Sequence, residues 1–174
     1  MNKAFFFDRD GVLNEIVERD GGHYSPQDFS QFKIVEEAIK VTRYTRSIGF
    51  LNIVISNQPD ISRKKLNKSH LNKMTNQLYK KLELDDVFYC VHDDQDCCEC
   101  RKPLSGLFLQ ASKKWNINLT DSYMIGDSWK DIESAKNVDI NSFLLDRPYN
   151  AKYSWTHRLK SLEDVSKLSR KIIL

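Results

Sequence analysis

Two aspartates, Asp8 and Asp10, stand where an apolar run ends in a glycine turn. The run Ala4–Phe7 has the aromatic composition typical of a buried strand, and Gly11 marks the turn that follows. If Mg²⁺ binds the first carboxylate, that group stays ionised and nucleophilic, while the second can hold a proton for acid and base catalysis. Arg9, between them, would point away from both acids if the chain is extended here.

A second acidic stretch offers the further oxygen ligand that Mg²⁺ needs for its near-octahedral coordination. Asp127 follows another apolar run through Gly126, and Asp131 comes four residues later, at the start of a predicted helix. Asp127 is the better candidate for a metal ligand. Asp131 is open to two interpretations, because it could support the metal ligands from behind or cap the helix.

Groups suited to a phosphate follow two other candidate strands. Ser56 and Asn57 offer a hydroxyl, an amide and nearby backbone N–H groups, all of which suit phosphate oxygens. Arg101 and Lys102 offer positive charge for an anionic substrate. Taken singly, such residues are common in turns, loops and caps. Their succession at strand ends is what indicates one phosphate site.

The elements that must position these residues alternate along the chain. Short apolar runs predict strands over Ala4–Phe7, Leu51–Ile55, Val87–Val91, Tyr123–Ile125 and Ile140–Leu145. Helical spacing predicts helices over Val35–Ile48, Lys65–Leu82, Gly106–Trp115, Trp129–Lys136 and Leu162–Ile172. This alternation predicts an α/β protein with a Rossmann-like three-layer fold and a parallel sheet. Its ligand crevice should lie beyond the carboxyl ends of the strands.

Length and charge limit the classes of function. The 174 residues fit a single domain, 1–174, with no separate cap domain. No apolar stretch indicates a membrane span or a secretory signal, so we expect a cytoplasmic protein without a membrane partner. The net charge of +3 is too small to demand nucleic acid. We expect a monomer that acts on a small molecule.

The cysteines are crowded into one short segment. Four of them lie within eleven residues, at positions 90, 97, 98 and 100, which in a cytosolic chain indicates metal more than disulfides. Cys90, His92 and Cys100, completed by Cys98, would form a closed tetrahedral zinc site of the structural kind. Cys97 is the alternative fourth ligand.

A zinc module that binds nucleic acid is the rival from a different class. Such a module usually has a basic helix and base-stacking aromatics, and this segment has neither. It carries four acids instead, Asp93, Asp94, Asp96 and Glu99. We therefore expect a zinc-stapled loop next to Arg101 and Lys102.

Four short motifs together resemble the signatures of the haloacid dehalogenase-like phosphatases. They are Asp8-Arg9-Asp10-Gly11-Val12, Ser56-Asn57-Gln58, Lys102-Pro103, and Gly126-Asp127 followed by Asp131. The sequences DRDGVLN, SNQ and CRKP resemble in particular the branch that contains D-glycero-D-manno-heptose 1,7-bisphosphate phosphatase and the histidinol-phosphate phosphatase domain.

The resemblance implies a role for each catalytic residue. Asp8 would be the nucleophile that forms an aspartyl phosphate, and Asp10 the acid and base. Ser56 and Lys102 would stabilise the transferred phosphoryl group. The same resemblance favours Cys98 over Cys97 as the zinc ligand.

The resemblance also implies the cofactors and the substrate. Mg²⁺ would be held by Asp8, the backbone carbonyl of Asp10, and Asp127. The substrate would be a small phosphorylated sugar, hydrolysed at the 7-phosphate of the heptose bisphosphate. Residues expected to bind it are Asn57, Gln58 and Arg101. Histidinol phosphate or another small phosphomonoester is the alternative substrate, and a zinc-bearing binding module without catalysis is the further alternative.

Overall fold

The structure, a computed structural model, describes residues 1–155 and 157–167 of the chain. Its strands are β1 (Ala4–Phe7), β2 (Val17–Arg19), β3 (Gly22–Tyr24), β4 (Leu51–Asn57), β5 (Asp86–Cys90), β6 (Tyr123–Gly126), β7 (Asn141–Leu145) and β8 (Arg158–Leu159). Its helices are α1 (Glu36–Ser47), α2 (Lys68–Lys81), α3 (Gly106–Trp115) and α4 (Trp129–Lys136).

Six of the strands form one parallel sheet in the order β5-β4-β1-β6-β7-β8. The chain extends from β1 to β4 and β5 on one side and then crosses to β6 and β7 on the other. The strand order therefore reverses at β1, the kind of position where α/β sheets bind ligands. Residues that follow β1, β4 and β6 meet at this one edge.

The three consecutive phenylalanines of β1 serve both faces of the sheet. Phe5 and Phe7 pack in the core that includes apolar residues of α1 and α2, while Phe6 packs with those of α3 and α4. Successive strand residues point to opposite faces, so a strand buried on both sides needs an unbroken apolar run. The predicted three-layer α/β fold is confirmed.

The predicted elements of the sheet and its helices are confirmed with small shifts at their ends. β4 continues two residues beyond the predicted Ile55, to Asn57, and α3 and α4 have the predicted bounds. Of the predicted final helix over Leu162–Ile172, residues 164–167 are helical, and 168–172 lie outside the described residues. No helix in the described part of the chain is long and apolar enough to cross a membrane.

A small antiparallel hairpin of β2 and β3 stands apart from the sheet. Asp20 and Gly21 connect its strands with φ angles of 51° and 71°. Positive φ at both positions is typical of the type I′ turns that form two-residue hairpin loops. The sequence analysis predicted neither this hairpin nor β8.

Candidate active site

A cleft of about 420 Å³ opens at the carboxyl edge of the sheet. The predicted site residues that line it are Asp8, Asp10, Ser56, Asn57, Arg101, Lys102 and Asp127. Gln58 lies behind them and is buried. The fold therefore brings residues from four separate segments of the chain to one place. Their arrangement decides what chemistry the cleft can support.

Lys102 joins the acids of two strand ends. Its Nζ donates to Asp8 Oδ1 at 2.9 Å, to Asp131 Oδ1 at 2.5 Å and to the carbonyl oxygen of Ile55 at 3.0 Å. Burial by itself lowers the pKa of this ammonium, but the charges of Asp131 and Asp8 outweigh that effect and raise it. Lys102 is thus a fixed cation next to the predicted nucleophile.

Asp131 binds the Lys102 ammonium and also caps the N-terminus of α4. Its Oδ2 accepts from the backbone N–H and the hydroxyl of Ser128, at 3.0 and 2.6 Å, in a capping box. Its Oδ1 accepts from Lys102. Both carboxylate oxygens are therefore committed to protein donors, which leaves Asp8 and Asp127 as the acids available to a cation.

Asp8 and Asp127 are in an environment that penalises their charge. Burial and the carboxylates of Asp131 and Asp10 raise the pKa of Asp8 to about 6, against the lowering effect of Lys102. Burial and the charges of Asp8 and Asp131 raise the pKa of Asp127 well above its ordinary value. Ligand oxygens of Asp8, Asp127 and Asp131 lie within 4.8 Å of one another. A hard divalent cation would offset this repulsion, so the residues fit Mg²⁺.

Asp10 has the opposite environment. Its oxygens accept from Arg9 Nε at 3.0 Å and Nη2 at 2.8 and 3.0 Å, from Asn14 Nδ2 at 2.9 Å and from Gln58 Nε2 at 2.7 Å. Burial by itself raises the pKa of Asp10, but Arg9 and the amide donors outweigh burial and lower it. The surroundings of Asp10 therefore favour its ionised form.

The Arg9 side chain was expected to point away from both acids, and this expectation is wrong. The chain turns directly after Asp8, and the carbonyl oxygen of Arg9 accepts from the N–H groups of Leu13 and Asn14. Gly11, at φ 82°, makes this turn possible. Because alternation holds only for extended chain, the Arg9 side chain does not point away but folds back onto its neighbour, Asp10.

The side chains of Asn57 and Gln58, at the end of β4, bond to other residues of the site. Asn57 exchanges hydrogen bonds with the backbone of Lys102, at 2.9 and 3.0 Å. Gln58 links Asp10 to the Ser56 hydroxyl, to which it donates at 3.1 Å. Ser56 and Asn57 both line the cleft, and the Asn57 amide is already bonded to the backbone of Lys102.

The zinc cluster has the shape that the metal requires. The ligand atoms are Cys90 Sγ, His92 Nδ1, Cys98 Sγ and Cys100 Sγ, and neighbouring ones lie 3.4 to 3.7 Å apart. Ligands about 2.1–2.3 Å from a tetrahedral zinc have such separations. Cys97 is exposed and outside the cluster. The four residues fit Zn²⁺, with Cys98 and not Cys97 as the fourth ligand.

Arg101 connects the zinc loop with the cleft. Its Nε donates to Asp94 Oδ1 at 2.6 Å, and its Nη1 to the carbonyl oxygen of His92 at 3.3 Å. Its Nη2 makes no hydrogen bond to residues of the described ranges. The guanidinium is thus held from the zinc side and keeps a terminal donor for a ligand in the cleft.

The sequence analysis missed several residues of the cleft. Ile16, His23 and Tyr24, in and next to the β2–β3 hairpin, line one side, Lys130 lies on the rim, and Tyr149 reaches in from the segment after β7. His23 and Tyr149 carry no local motif, since their placement depends on how distant segments pack.

The chain is similar in sequence to several known proteins. Residues 3–156 match the family described as polynucleotide kinase 3 phosphatase. D-glycero-β-D-manno-heptose-1,7-bisphosphate 7-phosphatase from Helicobacter pylori strain 26695 is 32% identical over 88% of this chain and 90% of its own. The protein of the same name from Pasteurella multocida is 30% identical over 97% of each chain.

A solved structure supports the fold. It is described as D,D-heptose 1,7-bisphosphate phosphatase from B. bronchiseptica complexed with magnesium and phosphate. It has a TM-score of 0.83 and 19% sequence identity, over 97% of this chain and 98% of that one. The family match and the curated relatives lead to one conclusion. The chain belongs to the polynucleotide kinase 3 phosphatase family.

Proposed function

We propose that this protein is a Mg²⁺-dependent phosphatase that removes the 7-phosphate of D-glycero-D-manno-heptose 1,7-bisphosphate. The observation that carries the proposal is the partly buried contact of Lys102 with Asp8 in the lining of the cleft, in a chain whose curated relatives bear that name. An enzyme for a small sugar phosphate also agrees with the size of the cleft. We infer a single-domain, monomeric, cytoplasmic enzyme whose partner is this substrate.

In this proposal Asp8 attacks phosphorus through its free carboxylate oxygen. The bond from phosphorus to the sugar oxygen breaks, and an aspartyl phosphate forms on Asp8. Lys102 Nζ and the Ser56 hydroxyl stabilise negative charge on the phosphoryl oxygens. Because Lys102 is already fixed by Asp131, little reorganisation is needed when that charge develops.

Asp10 is the proposed acid and base of the two half-reactions. In the first it protonates the leaving sugar oxygen, and in the second it removes a proton from the water that hydrolyses the aspartyl phosphate. The donors around Asp10 stabilise its ionised form. This environment supports the base role directly, whereas the acid role requires Asp10 first to take up a proton.

The proposed Mg²⁺ ligands are Asp8, the backbone carbonyl of Asp10, and Asp127. Bound there, the cation would supply positive charge that keeps Asp8 ionised and offsets charge on the phosphoryl oxygens. The proposed Zn²⁺ ligands are the four residues of the zinc cluster. That ion would be structural, because four protein ligands leave no position for water.

Arg101 is the proposed anchor of the phosphate that is not cleaved. Its fixed guanidinium and free Nη2 suit an anion or sugar hydroxyls at the far end of a substrate whose reacting end lies at Lys102. A bisphosphate would contact both residues. A simple phosphomonoester would contact only Lys102, which makes the two classes of substrate distinguishable by mutation.

The test is a comparison of kcat/KM among the heptose bisphosphate, histidinol phosphate, p-nitrophenyl phosphate and an oligonucleotide with a 3′-phosphate. The heptose bisphosphate should give the highest value. Arg101→Ala should raise its activation free energy by roughly 2–4 kcal/mol, because a charge-assisted contact is lost, with a much smaller effect on p-nitrophenyl phosphate.

Arg63→Ala is the matched control, because Arg63 also holds the zinc loop, through Asp93, but does not line the cleft. If Arg63→Ala reproduces the loss, Arg101 acts through the loop and not on the substrate. A higher kcat/KM for histidinol phosphate or for the oligonucleotide would reject the heptose assignment.

A further inference from the structure

The carboxylate of Asp127 has a partner that the catalytic motifs do not contain. The hydroxyl of Tyr149 donates a hydrogen bond to Asp127 Oδ2. No residue in the described ranges donates to Oδ1. The two oxygens of this carboxylate are therefore unequal, since one is held by the protein and the other is left for a ligand.

The segment that carries Tyr149 is fixed to both neighbouring strand ends. Asn150 Nδ2 donates to the backbone oxygens of Asp127 and Leu145, each at 2.8 Å. Arg147 Nε donates to the carbonyl oxygen of Gly11 at 2.9 Å. This short turn after β7 thus contacts the backbone of Asp127 and the backbone of the loop that follows β1. Its position is determined by bonds other than the one that Tyr149 makes.

The Tyr149 side chain has one neighbour at its ring and another at its hydroxyl. The ring of His23, from the β2–β3 hairpin, lies 4.6 Å away between centroids. On another side, a Cβ placed on Gly11 would lie 2.6 Å from the Tyr149 hydroxyl oxygen and 1.9 Å from Asp127 Oδ2. The hydroxyl and the carboxylate are therefore packed directly against the loop of the predicted nucleophile, and only glycine fits there.

We propose that Tyr149 is a positioning residue for the metal ligand Asp127. Its hydroxyl holds Oδ2 and stops the carboxylate from rotating, so that Oδ1 stays available to the cation. Hydrogen bonds behind metal ligands commonly change metal affinity by about 10–100-fold. The inference rests on the proposed Mg²⁺ site, and it adds a residue from a strand end that none of the recognised motifs covers.

The test measures metal binding directly, with Mn²⁺ as an oxygen-seeking probe that electron paramagnetic resonance detects without substrate. Tyr149→Phe keeps the ring and removes only the hydroxyl. We expect its dissociation constant for Mn²⁺ to rise about tenfold or more. The Mg²⁺ concentration for half-maximal hydrolysis should rise in parallel, while kcat at saturating Mg²⁺ changes little.

Tyr153→Phe is the matched control, because Tyr153 follows in the same segment but lines a different cavity. It should bind Mn²⁺ like the wild type. If Tyr149→Phe binds Mn²⁺ as tightly as the wild type, or more tightly, the proposal is overturned. A lower melting temperature with an unchanged Mn²⁺ affinity would assign Tyr149 to the fold and also overturn it. A wild type that binds no Mn²⁺ would instead reject the metal site itself.

Discussion

At the scale of single residues, Asp8 and Asp10 differ because of the side chain between them. Arg9 is fully buried, with its guanidinium carbon 5.9 Å and 5.7 Å from the ring centroids of Phe32 and Tyr89. Arg9 pairs with Asp10, and its charge helps to lower the pKa of that carboxyl, whereas burial raises the pKa of Asp8 against the effect of Lys102. Two chemically identical groups thereby acquire different proton affinities. In the proposed mechanism a bound cation would be needed to keep Asp8 ionised.

Arg9→Met should destabilise the protein, because it leaves the buried Asp10 without its charged partner. We expect the free energy of unfolding, measured by urea denaturation, to fall by roughly 3 kcal/mol or more. Lys33→Met is the control, since Lys33 pairs with Glu15 at a similar distance, 2.7 Å, but in solvent. It should have a much smaller effect. Equal effects of the two substitutions would mean that burial does not strengthen the Arg9 pair.

At the scale of elements, the loop between β5 and α3 joins the cysteine cluster to the cleft. It follows Cys90 at the end of β5, contains the other three residues of the proposed zinc site and continues directly into Arg101 and Lys102. Arg63 ties it to the segment after β4, through Asp93, with bonds of 2.7 and 2.5 Å. Ion pairs hold this segment, which has no strands or α-helices, and the proposed Zn²⁺ would add a further constraint on its shape.

Cys100→Ser should therefore lower the zinc content and the melting temperature together, since binding at a structural zinc site contributes to folding. Elemental analysis should find about one zinc per wild-type chain. Cys97→Ser, which removes the exposed neighbouring thiol, should retain both the zinc and the melting temperature. A fully folded wild type without zinc would contradict this view of the loop, as would a loss of zinc in Cys97→Ser.

The elements differ in how far the sequence could predict them. Strands such as β1 and β4 are apolar on both faces, and that signal needs no knowledge of the tertiary structure. β2 and β3 have three residues each and are largely exposed, so no hydrophobic pattern marks them. The bond between Tyr149 and Asp127 joins residues that are 22 positions apart and follow two different strands. Local patterns do not determine such pairings.

At the scale of the whole molecule, the parallel sheet explains why short motifs could predict the site. The residues that follow β1, β4 and β6 lie far apart in the chain but share one edge of the sheet. Motifs placed at strand ends are therefore close in space whatever the details of the loops. The hairpin and the segment around Tyr149 complete the cleft from outside the motifs.

The most direct test of the proposed function is phosphorus NMR of the purified protein with the heptose 1,7-bisphosphate and Mg²⁺. The signal of the phosphate at carbon 7 should disappear as inorganic phosphate appears in equal amount, while the signal of the anomeric phosphate persists. Asp8→Asn, which removes the nucleophile, should leave both signals unchanged over the same time. Loss of the anomeric phosphate, or turnover by Asp8→Asn at the wild-type rate, would contradict the account.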